Sequence, residues 1–448
     1  MSIFHVNDIR GIFNVEWNET DAYAIGRVVP AVLGIRNMVV GRDARTSTET
    51  VFAEFTRGLR DSGANVTSIG LCDTPAVYFA VGKIGFDGGA MITASHNPPE
   101  YNGIKLVGPG SSAVGYDNGI SEIEQLCADY RSGKDVFTSP KQSGKFTEID
   151  ITEGYVEFYR PFMDQIGPIR TVIDCSHGTA AVFGRQIMAG TRAQCSFIND
   201  KPDGTFPVHG PDPMNTDNLI ALGQQVREEG AHLGMCFDGD GDRVVLVDEN
   251  GKPVGSDLLL AVLARYYLEK KPETIVYDLR CSNGVPEYIA EHGGTALMSP
   301  VGHVSLKRLI KETGSVFGGE LSGHYYFRDF FSCDSAWLTA LLVLSVLSQT
   351  DTSLSEIIRS VDRYENSGEI NFPVARSTET IYRNLKYRFQ DGSHCEIDGL
   401  RIDYPDWWFI VRPSTNEPLV RLVVESRNKQ TLQSHIAEVS SIITGTER

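Results

Sequence analysis

The chain predicts an α/β fold, with three mixed α/β domains followed by a smaller α+β C-terminal domain, all set around a central cleft. Three observations carry that expectation. The 448 residues amount to about three domains at roughly 150 residues each. Short runs of Val, Ile and Phe alternate with longer amphipathic segments, the pattern of parallel strands joined by crossover helices. After about residue 365 the texture changes to closely spaced strands and turns.

In chain order, the first alternation reads as a strand at Asn37–Val40, a helix over Glu49–Gly63 and a strand at Val66–Ile69. The second runs from a strand at Ile169–Cys175 through a helix at Leu219–Glu229 to strands at His232–Phe237 and Val244–Val247. A turn at Asp248-Glu249-Asn250-Gly251 opens the third, with helices at Asp257–Glu269 and Gly302–Glu312 on either side of a strand at Thr274–Tyr277. The longest apolar stretch, Ala336–Leu347, falls short of the about 17 residues that span a bilayer and reads as a buried helix. Phe372-Pro373-Val374, a helix near Ile381–Arg388 and turns at Asp398-Gly399 and Glu417-Pro418 fill the last part. Domains are therefore expected at 1–150, 151–250, 251–365 and 366–448.

Composition removes several function classes. Lys and Arg number 41 against 58 Asp and Glu, a net charge of −17, so the basic field that tight nucleic-acid binding needs is missing. A local cluster of Arg and Lys can still take a small anion. Eight cysteines without a CxxC pair read as reduced thiols. Met1 to Gly11 lack a basic segment followed by an apolar one, so we expect a cytoplasmic protein with no membrane partner.

Four times a short apolar strand runs into a polar loop dense in reactive side chains, and in open α/β sheets ligands sit beyond strand carboxyl ends. The simplest geometry that uses all four is one cleft. The first loop holds Ser95, His96 and Asn97. A Gly-x-Ser-x-Gly elbow is missing, which removes the main support for acyl-enzyme chemistry; a plain Asn-Pro turn capped by Ser95 is the competing reading. Beyond it we expect a hairpin turn at Tyr101-Asn102-Gly103, after which Lys105 faces away from Ile104 and Leu106. That would return an ammonium toward Ser95, or leave a solvated edge lysine.

The second loop, Asp238-Gly239-Asp240-Gly241-Asp242, aims three carboxylates at one point. Converging anions repel unless a divalent cation compensates them, and an all-oxygen donor set favours Mg²⁺. An EF-hand fails: its sixth position would be Arg243 instead of Gly, and strands stand where helices are needed. A solvated acidic turn is the remaining alternative. In the third loop Glu320, Ser322 and His324 are suited to sugar hydroxyls, or form an ordinary turn. His303 stands at a helix start where N–H groups attract anions, or caps it without a ligand. In the fourth, Arg412, Ser414, Thr415 and Asn416 are donors for a phosphate dianion, or line a polar hairpin.

Together these residues resemble the phosphomannomutase/phosphoglucomutase family of α-D-phosphohexomutases. Its motifs match at Asp8-Ile9-Arg10-Gly11, Gly41-Arg42-Asp43-Ala44-Arg45, Thr93 to Lys105, Asp238 to Arg243, Gly319 to His324 and Arg412 to Pro418, and bacterial phosphomannomutases are the nearest in character. The resemblance implies a TBP-like fourth domain and a phosphorylated Ser95 that donates and accepts the phosphoryl group. It implies one Mg²⁺ held by Asp238, Asp240, Asp242 and a phosphoserine oxygen, with a hexose 1,6-bisphosphate as intermediate and activator. Arg10, His96, Lys105 and Arg243 would surround the reacting centre, with Lys105 moving the proton and Arg10 or His324 assisting. Arg280, His303, Glu320 and Ser322 would bind the sugar, and Arg412, Ser414, Thr415 and Asn416 the idle phosphate.

Two positions depart from the family pattern: Asn7 stands where many relatives have Tyr, and Arg280 where several have Lys. The loop Glu320 to His324 resembles mannose and mannose/glucose members. It implies conversion of mannose 6-phosphate to mannose 1-phosphate for GDP-mannose, with a phosphoglucomutase or dual-specificity enzyme as the alternative. The assembly is expected to be a monomer or homodimer. A non-catalytic sugar-phosphate or calcium sensor is the competing class, and the occupied transfer positions argue against it.

Overall fold

In the computed structural model, residues 2–134, 142–374, 376–414 and 418–446 are described. Gly88–Ile92, Asn37–Arg42 and Asn65–Leu71 lie parallel, with Phe146–Glu148 added at one edge. The helix expected after the second of these strands spans Thr48–Asp61. The opposite edge is antiparallel: Tyr101–Gly108 pairs with Gly88–Ile92 and Ile9–Ile12 with Tyr101–Gly108. The first sheet is mixed, which parallel crossovers alone did not foretell.

The turn expected at Tyr101-Asn102-Gly103 is strand instead. Gly103 is needed for close approach, since a Cβ there would stand 2.4 Å from the Ile9 carbonyl oxygen. Buried Asn102 donates to Ser47 Oγ at 2.8 Å and Thr48 Oγ1 at 3.0 Å. The chain reverses earlier, across residues 95–100, which makes the serine loop itself the hairpin connection. Lys105 then lies between buried Ile104 and Leu106 on the other face of the strand, as alternation requires.

In the second sheet Gln194–Ile198, Arg170–Asp174 and Leu233–Phe237 run parallel, and Val244–Asp248 returns antiparallel along Leu233–Phe237. The aspartate loop joins those last two strands. The third sheet repeats the plan: Thr295–Ser299, Thr274–Asp278 and Phe317–Gly319 are parallel, and Tyr325–Phe327 folds back on Phe317–Gly319. Here the tight connection is Glu320 to His324. Ala336–Ser348 is the buried helix the apolar run predicted, and its Trp337 ring lies 4.4 Å from Phe237, the residue before Asp238. Each fully buried Leu or Val side chain contributes about 1.5–3 kcal/mol, so this helix holds the aspartate strand firmly. No described helix is long and apolar enough to cross a membrane. All eight cysteines are unpaired and six are buried.

The C-terminal sheet is antiparallel, with Leu419–Ser426 and Trp407–Pro413 at its centre, and helices Thr378–Arg388 and Lys429–Thr444 pack into its core. The expected layout, three α/β units and an α+β one, is the one present. Trp408, Ile410 and Val423 cluster with Leu279 from the third sheet's side. Beside them Arg401, fully buried, donates to Leu279 O and Asn283 Oδ1, both at 2.5 Å, pairs with Asp403 and lies 3.8 Å from the Trp408 ring. Arg401→Ala is expected to destabilise by about 3 kcal/mol, the lower end of the range for breaking a buried pair, because Asp403 is partly solvated. A denaturation midpoint equal to that of the unaltered chain would contradict this account of how the last domain is attached.

Candidate active site

Ser95 occupies the left-handed region at φ 52°, an unfavourable place for a non-glycine residue that needs support from its surroundings. The support is Arg45. Its guanidinium, buried and paired with Asp43, donates to Ser95 O at 2.8 Å, Asn97 O at 2.7 Å, Pro98 O at 2.6 Å and Tyr101 O at 3.0 Å. One cation thereby satisfies four carbonyls of the serine loop. Ser95 N donates to Thr93 Oγ1 at 2.9 Å.

The aspartate loop meets this loop directly. Ser95 Oγ donates to Asp238 Oδ2 at 2.9 Å. Asp238 Oδ1 accepts from the backbone N–H of Asp242 at 3.1 Å and of Arg243 at 3.2 Å, which curls the loop around its own first carboxylate. Lys105 Nζ donates to Asp240 Oδ2 at 2.6 Å and Asp242 Oδ2 at 2.5 Å, so the ammonium is returned to the site and is no solvated edge residue. Thr74 makes two further bonds to Asp240, Oγ1 to Oδ2 at 2.6 Å and N to O at 2.8 Å.

Asp238, Asp240 and Asp242 are buried and present ligand oxygens within 4.8 Å of one another. Asp240 Oδ1 and Asp242 Oδ1 are buried without a hydrogen-bond partner, a costly state for a carboxylate unless a cation answers it. Burial and its two neighbouring carboxylates push the Asp238 carboxyl well above the usual range. Burial opposes ionisation of Asp242 too, yet Lys105, His324 and Arg243 hold it well below that range. The donor set is all oxygen, as a hard divalent cation requires. The flanks are strands and Arg243 stands sixth, so the EF-hand alternative is excluded.

Above this floor lies a cleft of about 570 Å³, within the range that takes a small ligand. Its lining includes Arg10, Lys105, Arg243, Arg280 and Lys307, and also Asp8, Glu16, Asp242, Glu320 and Asp334. Five side-chain cations thus face five carboxylates. A dianionic ligand gains little from such a balance until a divalent cation adds charge below it.

Most cations are aimed by a carboxylate: Arg10 by Asp8, Arg280 by Asp278, Lys307 by Asp334 at 2.7 Å. Arg10 also donates to Asn97 Oδ1 at 2.6 Å. Arg243, burial and Arg10 together hold the His96 imidazole well below its ordinary value, and its Nδ1 is buried without a partner. His303 is the first residue of the helix His303–Thr313; burial and Lys307 push it down to about 3. Ser322 Oγ lies 3.1 Å from Glu320 Oε2 and 3.0 Å from His324 Nδ1, and His324 Nε2 accepts from Arg243 Nε at 3.2 Å. Tyr326 donates to the other Glu320 oxygen.

The fourth loop stands apart. Arg412 is paired with Asp398 at 2.8 Å and Ser414 Oγ accepts from Arg421 at 3.3 Å, and neither lines the cleft. Thr415 and Asn416 lie outside the described residues. Sequence reasoning missed Thr74, Asp334, Lys307 and Tyr326 as parts of the site. Asp73-Thr74-Pro75 carries the signal of a capped helix start after a strand, which could have drawn attention to Thr74. Nothing local marks Asp334. Arg45 ends the Gly41 to Arg45 motif, but its role emerges only from the fold.

A Cβ on Gly239 would stand 2.5 Å from the Ser95 carbonyl oxygen, so any side chain there forces the two loops apart. Gly239→Ala is expected to lengthen the Ser95 Oγ to Asp238 Oδ2 separation beyond the hydrogen-bond limit of about 3.5 Å, seen in a crystal structure of the variant. Retention of that bond would contradict the packing argument.

Comparison with known proteins bears on the whole chain. Models of phosphoglucomutase/phosphomannomutase α/β/α domains I, II and III match residues 1–133, 153–251 and 255–364, and the model of the family's C-terminal domain matches 369–441. A phosphomannomutase of Methanocaldococcus jannaschii is 34% identical, covering 99% of this chain and 98% of its own. A phosphomannomutase/phosphoglucomutase of Pseudomonas syringae is 33% identical over 96% of this chain and 93% of its own. The crystal structure of a phosphoglucomutase/phosphomannomutase family protein from Burkholderia thailandensis superimposes with a TM-score of 0.90 at 28% identity, covering 100% of this chain and 98% of that one. With all four family domains in order and a serine loop closed upon an aspartate triad, the chain belongs to the phosphoglucomutase/phosphomannomutase family and is a phosphohexomutase, an intramolecular phosphotransferase.

Proposed function

We propose that the protein is a cytoplasmic phosphomannomutase that interconverts mannose 6-phosphate and mannose 1-phosphate through a phosphorylated Ser95 and a hexose 1,6-bisphosphate. The observation that carries this reading is the hydrogen bond from Ser95 Oγ to Asp238 at 2.9 Å, which joins a hydroxyl to a cation-binding loop. Asp238, Asp240 and Asp242 would hold Mg²⁺ with an oxygen of phosphorylated Ser95, and the bound ion neutralises charge on the transferring group. The residues' own tasks follow from their positions. As the bond from phosphorus to Ser95 Oγ breaks, a new one forms to a sugar hydroxyl, whose proton leaves to a nearby group. Lys105, an ammonium held between Asp240 and Asp242, is our choice for that proton transfer: it gives a proton to the departing Ser95 Oγ and regains one from the sugar hydroxyl, with Arg10, His96 and His324 around the reacting oxygens.

The bisphosphate then turns round and returns its other phosphoryl group to Ser95. Glu320 and Ser322 accept sugar hydroxyls in either orientation, beside Arg243, Arg280 and His303. Arg412, Ser414, Thr415 and Asn416 hold the idle phosphate, which requires Arg412 to exchange Asp398 for the ligand when the last domain closes. Closure also keeps water from the phosphoserine. The division at 1–150, 151–250, 251–365 and 366–448 belongs to the same reading.

Mannose specificity is supported by the Glu320 to His324 loop and by the naming of relatives; dual specificity is favoured by the relative from Pseudomonas syringae, named for both sugars. Turnover of mannose 1-phosphate and glucose 1-phosphate, compared as kcat/KM, separates them. We expect at least about a tenfold preference for mannose, equivalent to about 1.4 kcal/mol. Equal values would replace the proposal with a dual-specificity enzyme.

A further inference from the structure

Behind the cleft lies a second cavity of about 200 Å³, between the 110–118 segment and the helix His303–Thr313. Lys307, Arg308 and Lys311 project into it from one and a third turns of that helix, and Ser112 and Ser332 add hydroxyls; Asp117 is the acidic residue in the lining. Arg308 and Lys311 are exposed and, among the described residues, have neither a hydrogen-bond nor an ion-pair partner. Lys307 is already paired with Asp334, so Arg308 and Lys311 stand against one carboxylate and leave a surplus of positive charge, in contrast to the balanced cleft. Ser332 at φ 59° lies on one wall and Ser111 at φ 57° on the other, both in a strained region that is retained where surroundings fix it, ligand clamps included.

We infer that this cavity is a second anion site, for a phosphate dianion or a short phosphate monoester, and that its occupancy is felt in the active site through Lys307. The volume is below the about 300 Å³ at which pockets take larger ligands, so it suits a phosphoryl group and not a hexose bisphosphate. Lys307 lines both cavities. Its Nζ is 2.7 Å from Asp334, and Asp334, Asp242 and His324 present ligand atoms within 4.8 Å of one another. An anion that draws on Lys307 weakens its hold on Asp334 and leaves a less compensated carboxylate beside Asp242 and His324. The consequence falls on turnover more than on substrate capture.

The test is calorimetric titration of the full chain in the presence of Mg²⁺ with inorganic phosphate and, separately, glycerol 3-phosphate, for the unaltered protein and the Arg308→Ala/Lys311→Ala double variant. Both replaced side chains are exposed and unpaired, so the variant keeps its fold, checked by its melting curve. The expected result is two sites in the unaltered protein and one in the variant; the tighter of the two probes tells free phosphate from an ester. A single site in the unaltered protein, or two in both, overturns the inference. Its kinetic arm rests on the proposed function: phosphate should lower kcat severalfold and raise KM in the unaltered protein, but raise only KM in the variant. A kcat fall that survives in the variant overturns the coupling. Two titrating sites without any mannose phosphate turnover would instead sink the proposed function and leave the second site standing.

Discussion

Ser95 Oγ and Asp238 Oδ2 stand 2.9 Å apart, yet they belong to loops that leave different sheets, and much of the surrounding structure serves to keep them together. Arg45 gathers the carbonyls of the serine loop. Gly239 leaves no side chain between the loops, and Thr74, from the first domain, ties Asp240 by side chain and backbone. Helix Ala336–Ser348 braces the strand behind Asp238 from the third domain's side. Displacing any of these shifts a hydroxyl or a carboxylate, and a misplacement of about 1 Å is enough to slow a transfer that depends on positioning.

The same residues solve a charge problem. The chain as a whole is acidic, at −17, and its cleft lining is balanced, so neither supplies the field that a sugar phosphate needs. The aspartate triad concentrates negative charge in a buried place where Lys105 answers only part of it. Buried oxygens of Asp240 and Asp242 make no hydrogen bond, which is the condition a divalent cation relieves. Carboxylates elsewhere in the cleft do another job: Asp8, Asp278 and Asp334 fix the directions of Arg10, Arg280 and Lys307.

The serine loop and the triad were legible because each combines reactive side chains with glycines or prolines directly after a buried strand, a pattern local enough to survive without neighbours. Helix and strand periods located most elements within a few residues, as at Ser256–Leu268 and Ala336–Ser348. Tyr101-Asn102-Gly103 was misread since Asn-Gly usually marks a turn, whereas here Gly103 admits Ile9 and Asn102 reaches Ser47 and Thr48. Pairing across some ninety residues decided the matter, and no local pattern encodes it. Asp334 and Lys307 escaped notice for a similar reason: they meet the cleft only when the third sheet is folded against the first. Arg412 was read by its type as a hydrogen-bond donor to phosphate, but its present partner, Asp398, depends on the packing of two strands' ends.

The central claim is that Ser95 carries the phosphoryl group. Intact mass spectrometry after incubation with Mg²⁺ and a hexose 1,6-bisphosphate measures it most directly. The account predicts a gain of about 80 Da, one phosphoryl group, mapped to Ser95 and missing from Ser95→Ala. An unchanged mass, or a gain that persists in Ser95→Ala, would contradict it.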